Sequence, residues 1–423
     1  MADSSPPNGI LVVGAGAAGL MAGIWAAGDV APVTVLDRTS DGGHKILISG
    51  GGRCNVLPSA FEPEQFHTDS SRNLLRNILR SWPDVRQRHF FETDLNLPLI
   101  LEPESGKLFP VSQKARQVRD KLKAQVEKVG GRFVFHASVI GLEPPSRAGG
   151  VWTARLDDGS VMPAAAVILA TGGLSVPGTG SDGTGLKLAA RLGHTIRATY
   201  PALTPLVLEP PRFAVLSGIS LTVTLTAPIG RDSFSTTGGF LFTHRGYSGP
   251  SVLDLSHLAT RTMGAGARQP IFVQWTNENE QIWDDRLRTG KGTVRSVLRG
   301  RLPERLVDVL LAEASLPKDR DLVYLSRDER LRLVAVLSRY PLPWTGSEGY
   351  KKAEVTGGGV ALEEIDPKTM ESRRHPGLFL CGEMLDAFGP IGGYNFAWAW
   401  ATGRLAGLGA KEKLNRMGAV EGG

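Results

Sequence analysis

Cysteine is scarce in this chain of 423 residues: only Cys54 and Cys381 occur, and they lie far apart. Two such residues make no disulfide framework, no CxxC pair and no zinc set, so a reducing cytoplasm is the expected compartment. Long apolar runs are also missing. The stretch near Gly14 to Gly28 is short, rich in glycine and preceded by an acidic, proline-containing start without Lys or Arg, so neither a signal peptide nor a membrane helix is expected. Internal repeats and low-complexity tracts are absent, as are a P-loop, an HExxH pair and a Ser-His-Asp order. The net charge of +6 would suit nucleic acid, and Arg286 to Arg305 is locally basic. Asp284, Asp285 and Glu304 interrupt that basic character and no aromatic ladder accompanies it, so it reads as a solvated helical face and no nucleic-acid partner is expected.

Glycine is abundant instead, with 52 residues alongside 41% hydrophobic and 21% charged residues. That is the composition of a soluble α/β enzyme of two or three domains, its glycines spread among turns and phosphate loops. The N-terminal segment shows what they are for. An apolar strand, Ile10-Leu11-Val12-Val13, is followed by Gly14-Ala15-Gly16-Ala17-Ala18-Gly19, a small-residue helix to about Ala27, and a second strand, Val33 to Leu36, that ends at Asp37. Strand, glycine turn, helix, strand and terminal acid in register read as one dinucleotide-binding βαβ unit. Gly14 makes the tight turn, Gly16 lets backbone approach a pyrophosphate, and Gly19 lets helix and strand pack closely, while Asp37 stands where a carboxylate accepts a ribose diol. The helix start offers free N–H groups to the phosphates.

A long loop, Thr39 to Pro58, follows; its centre, Ser49-Gly50-Gly51-Gly52-Arg53-Cys54-Asn55, looks like backbone shaped around a ligand. Helical patterning spans Ser70 to Phe91 and Ser112 to Val129, with Ser112 as a candidate N-cap. From Arg132 to Ala170 the apolar residues alternate, Val139 among them, as in a small meander leading into the buried strand Ala166 to Ala170. Thr171-Gly172-Gly173 ends that strand as a close approach to a dinucleotide would require. Gly178 to Gly183 repeats the GxGxxG spacing but follows Val176-Pro177 rather than a strand, so a second nucleotide domain is not expected. Pro201 to about Gly349 reads as an inserted domain, first β-like, then helical from about Asp284 to Ser338. The chain then returns to the first domain, so residues 1–200 and 350–423 are expected to form a discontinuous nucleotide domain. Gly382-Glu383 ends its last strand, and Gly392-Gly393-Tyr394-Asn395 opens a helix whose N-terminus would stabilise negative charge on a flavin ring. Trp398, Trp400 and Cys381 read as packing residues, and Cys54 as a small lining residue. His244, in Phe242 to Pro250 of the insert, is the candidate acid/base; Tyr247, Arg245 and Tyr394 are weaker candidates of the same kind.

Lys45 to Asn55, Phe242-Thr243-His244 with Ser248-Gly249-Pro250, Thr369 to Ser372 and Gly392 to Phe396 together resemble the bacterial BaiN-like, aminoacetone-oxidase-like flavoproteins. The resemblance spans nearly the whole chain. It implies an α/β fold with a glutathione-reductase-type FAD domain of Rossmann type, interrupted by a β-barrel-like insert with helices that caps the flavin. It also implies FAD contacts at Gly14, Gly16, Gly19, Asp37, Gly51, Gly52, Arg53, Cys54, Asn55, Thr171, Gly172, Gly382, Glu383, Gly393, Tyr394 and Asn395. Ala17, Ala18, Arg38, Lys45, Val139 and Gly392 complete the expected cofactor set, and His244 and Tyr247 the catalytic one. Two positions depart from the family pattern: Asp37 stands where Glu is common and Lys107 where Arg is usual. The expected activity is hydride transfer between FAD and a small molecule, with NAD(P)H as a candidate transient donor. Substrate, direction and oligomeric state stay open. So do two alternatives, an FAD-dependent tRNA-modifying or nucleic-acid-binding protein and a flavin-binding protein without catalysis.

Overall fold

In the computed structural model the described residues are 9–421, apart from 29–30, 148–149 and 264–267; the acidic start lies outside them. The chain divides into two compact units, Met1–Tyr200 with Val355–Gly423, and Pro201–Glu354. The second crossing falls five residues beyond Gly349 because the chain is still tied to the insert there: the Glu354 N–H donates to the Leu203 carbonyl (3.1 Å).

The first unit contains β1 (Ile10–Val13), α1 (Ala17–Ala26), β2 (Val33–Leu36), α2 (His44–Ile48), α3 (Ala115–Lys128), β3 (Gly131–Val134), β4 (Ala166–Leu169), α4 (Thr184–Arg191), β5 (Leu378–Leu380) and α5 (Tyr394–Glu421). These five strands form one sheet in the order β5-β4-β1-β2-β3, every pair parallel, with Ile10 opposite both Ala166 and Val33. Strands β1, β2, β4 and β5 are buried along their whole length, as a parallel sheet covered on both faces requires. The strand from the N-terminal end is therefore central, and the strand from the C-terminal end completes the sheet.

Helices α1 and α5 lie backbone to backbone. A Cβ at Gly403 would run into the Ala18 carbonyl, and one at Gly407 would stand 2.5 Å from the Ala22 carbonyl oxygen. Trp398 and Trp400 are buried, and their indole N–H groups donate to the carbonyls of Gly382 (3.1 Å) and Val56 (3.0 Å), which ties α5 to two loops of the site. A three-stranded antiparallel meander, Val139–Glu143, Trp152–Leu156 and Val161–Ala164, precedes β4; it starts later than the expected Arg132, because Gly131–Val134 pairs with β2 as the edge strand β3 of the parallel sheet.

Two helical expectations are corrected. The helical patterning read from Ser70 to Phe91 is divided into two helices, Arg72–Arg80 and Asp84–His89, broken at Ser81-Trp82-Pro83 where proline has no N–H to continue the ladder. Helix α3 begins at Ala115 with Lys114 as its cap; Ser112 stands outside and accepts the Lys114 N–H at 3.3 Å.

The second unit has its own core. Its seven antiparallel strands run in the order Tyr340–Pro341, Phe272–Gln274, Ser220–Ile229, Asp232–Phe242, Gly246–Ser248, Leu206–Val207, Gly346–Ser347. The two outermost strands are joined by the short link 342–345, which draws the edges of this sheet toward each other. Five α-helices between Pro250 and Ser338 accompany it. Among the described residues no helix is long and apolar enough to cross a membrane, and no group of His, Cys, Asp and Glu could hold a metal ion.

Candidate functional site

The C-terminal ends of the first unit's strands bring the glycine turn together with loops remote in sequence. Gly14, at φ +104°, follows β1 directly; its N–H donates to the Leu36 carbonyl (2.7 Å), and a Cβ would stand 2.6 Å from the Ala170 carbonyl oxygen. A side chain at Gly19 would strike the Gly14 carbonyl, so that position sets how closely α1 approaches the turn. Gly16 differs from both: a Cβ there would meet nothing within 4 Å. Gly16 is the N-cap of α1, which has no side-chain cap and no acid in its first turn, Ala17 and Ala18 being the first helical residues. Helix N–H groups left without a side-chain cap beside bare backbone suit a diphosphate.

Asp37 is held beside this turn. Its carboxylate accepts the Ala15 N–H (2.6 Å), the Thr39 N–H (2.8 Å) and the Thr39 hydroxyl (2.5 Å). The Ala137 N–H donates to the Asp37 carbonyl (2.9 Å), which places the chain entering the meander at Val139 alongside the acid. Arg38 forms an ion pair with Asp182, so its guanidinium is tied to the second glycine-rich loop. That loop follows no strand; Gly183 ends it as the N-cap of α4, its N–H donating to the Gly173 carbonyl (3.0 Å).

The Gly50-Gly51-Gly52 run takes left-handed backbone at all three residues, and Cys54 shares it at φ +65°. A Cβ at Gly51 would meet nothing within 4 Å, and the nearest atom to one at Gly52 is the Leu47 carbonyl oxygen at 4.0 Å, so both face open space. Arg53 turns its side chain onto the Phe109 ring (4.1 Å) and to Glu102 (3.0 Å). Cys54 is buried, and burial pushes its thiol up to about 12, which removes thiolate chemistry near neutral pH. Burial likewise pushes the Cys381 thiol up. The Asn55 Oδ1 and Thr171 Oγ1 atoms are buried without a hydrogen-bond partner, one in the glycine loop and the other just after β4. Such atoms are costly unless a bound group satisfies them. Bare glycine backbone, an uncapped helix start and two orphaned polar atoms are features that fit an extended dinucleotide such as FAD.

Gly172 lies against Ser181, where a Cβ would come within 2.6 Å of the hydroxyl, and Gly382 lies against Ala18. Glu383 is gripped from three segments. Its carboxylate pairs with Lys45 (2.5 Å) and accepts the Ser175 hydroxyl, the Thr356 N–H and the Thr356 hydroxyl (both 3.0 Å). Gly392 packs on the aliphatic part of Lys107, and Gly393 on the backbone of Leu57. Tyr394 accepts a hydrogen bond at its hydroxyl from Gln65 (3.0 Å). Asn395 uses both amide atoms to brace the preceding turn, accepting the Gly389 N–H and donating to the Gly389 carbonyl (both 2.9 Å). The side chains of Arg38, Arg53 and Asn395 are thus each engaged by the protein itself.

The two catalytic candidates lie in the second unit. His244 is exposed. Tyr247 is buried, its hydroxyl donating to the Pro343 carbonyl (2.9 Å), and burial pushes its phenol well up; it is a core residue, which corrects the expectation of an acid/base role. Ser175 and Thr356 were missed from the sequence. The only hint was their position, Ser175 two residues after Gly172-Gly173 and Thr356 immediately before Gly357-Gly358-Gly359. Glu364, His194 and Ser372 form a further unforeseen line, at 2.9 Å and 3.0 Å. It has the order of a hydrolase triad but is buried, and Ser372 Oγ also accepts the N–H groups of Arg374 (3.1 Å) and His375 (3.0 Å), so it clasps the loop that leads to β5.

Residues 8–409 match the family described as HI0933-like protein Rossmann domain. A 3-dehydro-bile acid delta(4,6)-reductase of Clostridium scindens is 32% identical over 416 residues, covering 96% of this chain and 100% of that protein. A ribosomal RNA dihydrouridine synthase of Haemophilus influenzae is 32% identical over 402 residues, covering 94% of this chain and 97% of that protein. Among solved structures, the 3-ketosteroid-delta4-(5alpha)-dehydrogenase from Rhodococcus jostii RHA1, in complex with 4-androstene-3,17-dione, superposes with a TM-score of 0.51 at 17% identity, covering 97% of both chains. The resemblance read from the motifs is borne out.

Proposed function

The chain belongs to the HI0933-like Rossmann-domain family and is an oxidoreductase of the flavin-dependent kind, and from that premise we propose that it saturates a carbon–carbon double bond conjugated to a carbonyl in a small molecule. FAD is its proposed resident cofactor and NAD(P)H its transient donor. The observation that carries this reading is the 32% identity to the delta(4,6)-reductase along the full length of that protein. The ribosomal RNA relative adds support from chemistry: dihydrouridine formation also saturates a double bond conjugated to a carbonyl, on a very different substrate.

When bound, FAD supplies hydride transfer through N5 and carries added negative charge when reduced. Gly14, Gly16 and the start of α1 would hold the diphosphate, Asp37 the ribose, and the Gly51-Gly52 and Gly392-Gly393 backbones the remainder. Saturation also requires a proton on the carbon beside the carbonyl. His244 of the insert is the residue we assign to it.

A second reading, action on RNA, is favoured by the Haemophilus relative and by a ribosomal RNA dihydrouridine synthase of Escherichia coli, also 32% identical over 402 residues. The basic helices of the insert speak against it, because Glu278 holds both Arg286 and Arg301, Asp308 holds Arg295 and Lys318, and Asp284 holds Arg330. Cations already paired release fewer counterions on binding phosphate.

The test is anaerobic bleaching of the bound flavin by NADH or NADPH, followed by addition of a 4-en-3-one steroid or of ribosomal RNA. Reoxidation by the enone with formation of the saturated ketone supports the proposal. Reoxidation by RNA alone replaces it with the second reading, and inertness to both overturns the bond class.

A further inference from the structure

Glu383 is held more firmly than a residue that merely touches a cofactor needs to be. Its side chain is 16% exposed, and both carboxylate oxygens are engaged by groups from three separate stretches of chain. Lys45, on the short helix α2, donates to Glu383 Oε2 (2.5 Å) and to Ser175 Oγ (2.6 Å). The Ser175 hydroxyl in turn donates a hydrogen bond to Glu383 Oε1. Thr356 donates to that oxygen from its N–H and its hydroxyl, and its hydroxyl oxygen accepts the N–H groups of Leu174 (2.8 Å) and Ser175 (3.2 Å). No side chain could stand at Gly173, where a Cβ would meet both Thr356 and Glu383.

Among the described residues Lys45 is the one cation that donates to this network, with Glu383 and Ser175 as its hydrogen-bond partners. The other donors to the carboxylate are neutral. Without Lys45 a largely shielded carboxylate would stand uncompensated beside a cofactor that is itself an anion. Half of a shielded ion pair is far more costly than either the whole pair or none of it.

We propose that Lys45 is a positioning residue: it neutralises and orients Glu383 and makes no productive contact with the cofactor of its own. The inference rests on the flavin reading above, and it assigns the cofactor contact at this place to Glu383 and its Ser175–Thr356 support. It has a consequence that direct contact lacks. Removing the partner carboxylate should undo the damage of removing the lysine.

The experiment compares wild type, Lys45→Met, Glu383→Gln and the double variant by FAD titration of the apoprotein and by the midpoint potential of the bound flavin. Lys45→Met is expected to weaken FAD about tenfold and to make the potential more negative. In the Glu383→Gln background the same lysine change is expected to cost less than about threefold in affinity, and the potential should return toward wild type. Losses that multiply, with no recovery of potential in the double variant, would overturn the inference in favour of direct contact by Lys45. If Lys45→Met alone does not fold, the comparison between Glu383→Gln and the double variant still decides. A wild-type protein that takes up no FAD would overturn the flavin reading, and this inference with it.

Discussion

Gly14, Gly16 and Gly19 share one turn but have different reasons to be glycine, and substitutions separate them. Gly16 has ordinary φ of −76° and open space where a Cβ would stand. Gly16→Val should therefore leave the melting temperature of the apoprotein near wild type while FAD binding falls at least about tenfold, because only the ligand competes for that space. Gly14→Ala should do the reverse first: left-handed backbone and the Ala170 carbonyl at 2.6 Å make it destabilise the apoprotein, by about 1–3 kcal/mol. Calorimetry and flavin fluorescence on the two variants give both readings. His244→Ala should slow turnover with the enone while FAD affinity stays unchanged, since the side chain is exposed and lies outside the dinucleotide unit. An unaltered rate would remove His244 from the reaction. The three glycines were legible in the sequence because each has a fixed offset from a strand end. Tyr247 was misread because a glycine-flanked tyrosine looks the same in a loop as in a core, and only tertiary packing tells them apart.

At the scale of elements, two contacts hold the C-terminal segment in place. Helix α5 meets α1 through Gly403 and Gly407, and Gly403→Val would drive the two apart against the Ala18 carbonyl. We expect a loss of about 1–3 kcal/mol, read by denaturant unfolding, and weaker FAD binding because Ala18 lies in the first turn of α1. The second contact is the Glu364–His194–Ser372 clasp. The Arg374 guanidinium, foremost, with the Thr195 and His194 bonds, holds the Glu364 carboxyl at about 2, well below the usual range, against the opposing effect of burial. A depressed folded-state value adds stability above the ordinary carboxylate pKa and loses it as pH falls. Glu364→Gln should cost about 1–3 kcal/mol near neutral pH, and the gap from wild type should close as pH drops from about 4 toward 2. A gap independent of pH would contradict the ion-pair account. The βαβ elements and the meander followed from periodicity alone. The break at Pro83 was overlooked because flanking apolar spacing continued through it, and the clasp was invisible because His194 lies far in sequence from the stretch that holds both Glu364 and Ser372.

Taken whole, the chain builds one nucleotide unit from two distant stretches, with an insert that folds around its own core. Strand β5 pairs with β4, and α5 covers α1, so the N-terminal βαβ fingerprint is incomplete as a site until residues beyond Val355 have folded onto it. That topology was readable because both ends carry glycine motifs that make sense together and not separately. What could not be read was the support beneath them, Ser175 and Thr356, whose residue types are common and whose meaning comes from Glu383. The most direct measurement is the visible absorption spectrum of the native purified protein, before and after incubation with FAD and removal of the excess. The account expects flavin bands that stay with the protein through gel filtration in near one-to-one amount. A folded protein that is colourless and remains so after incubation with FAD would contradict it.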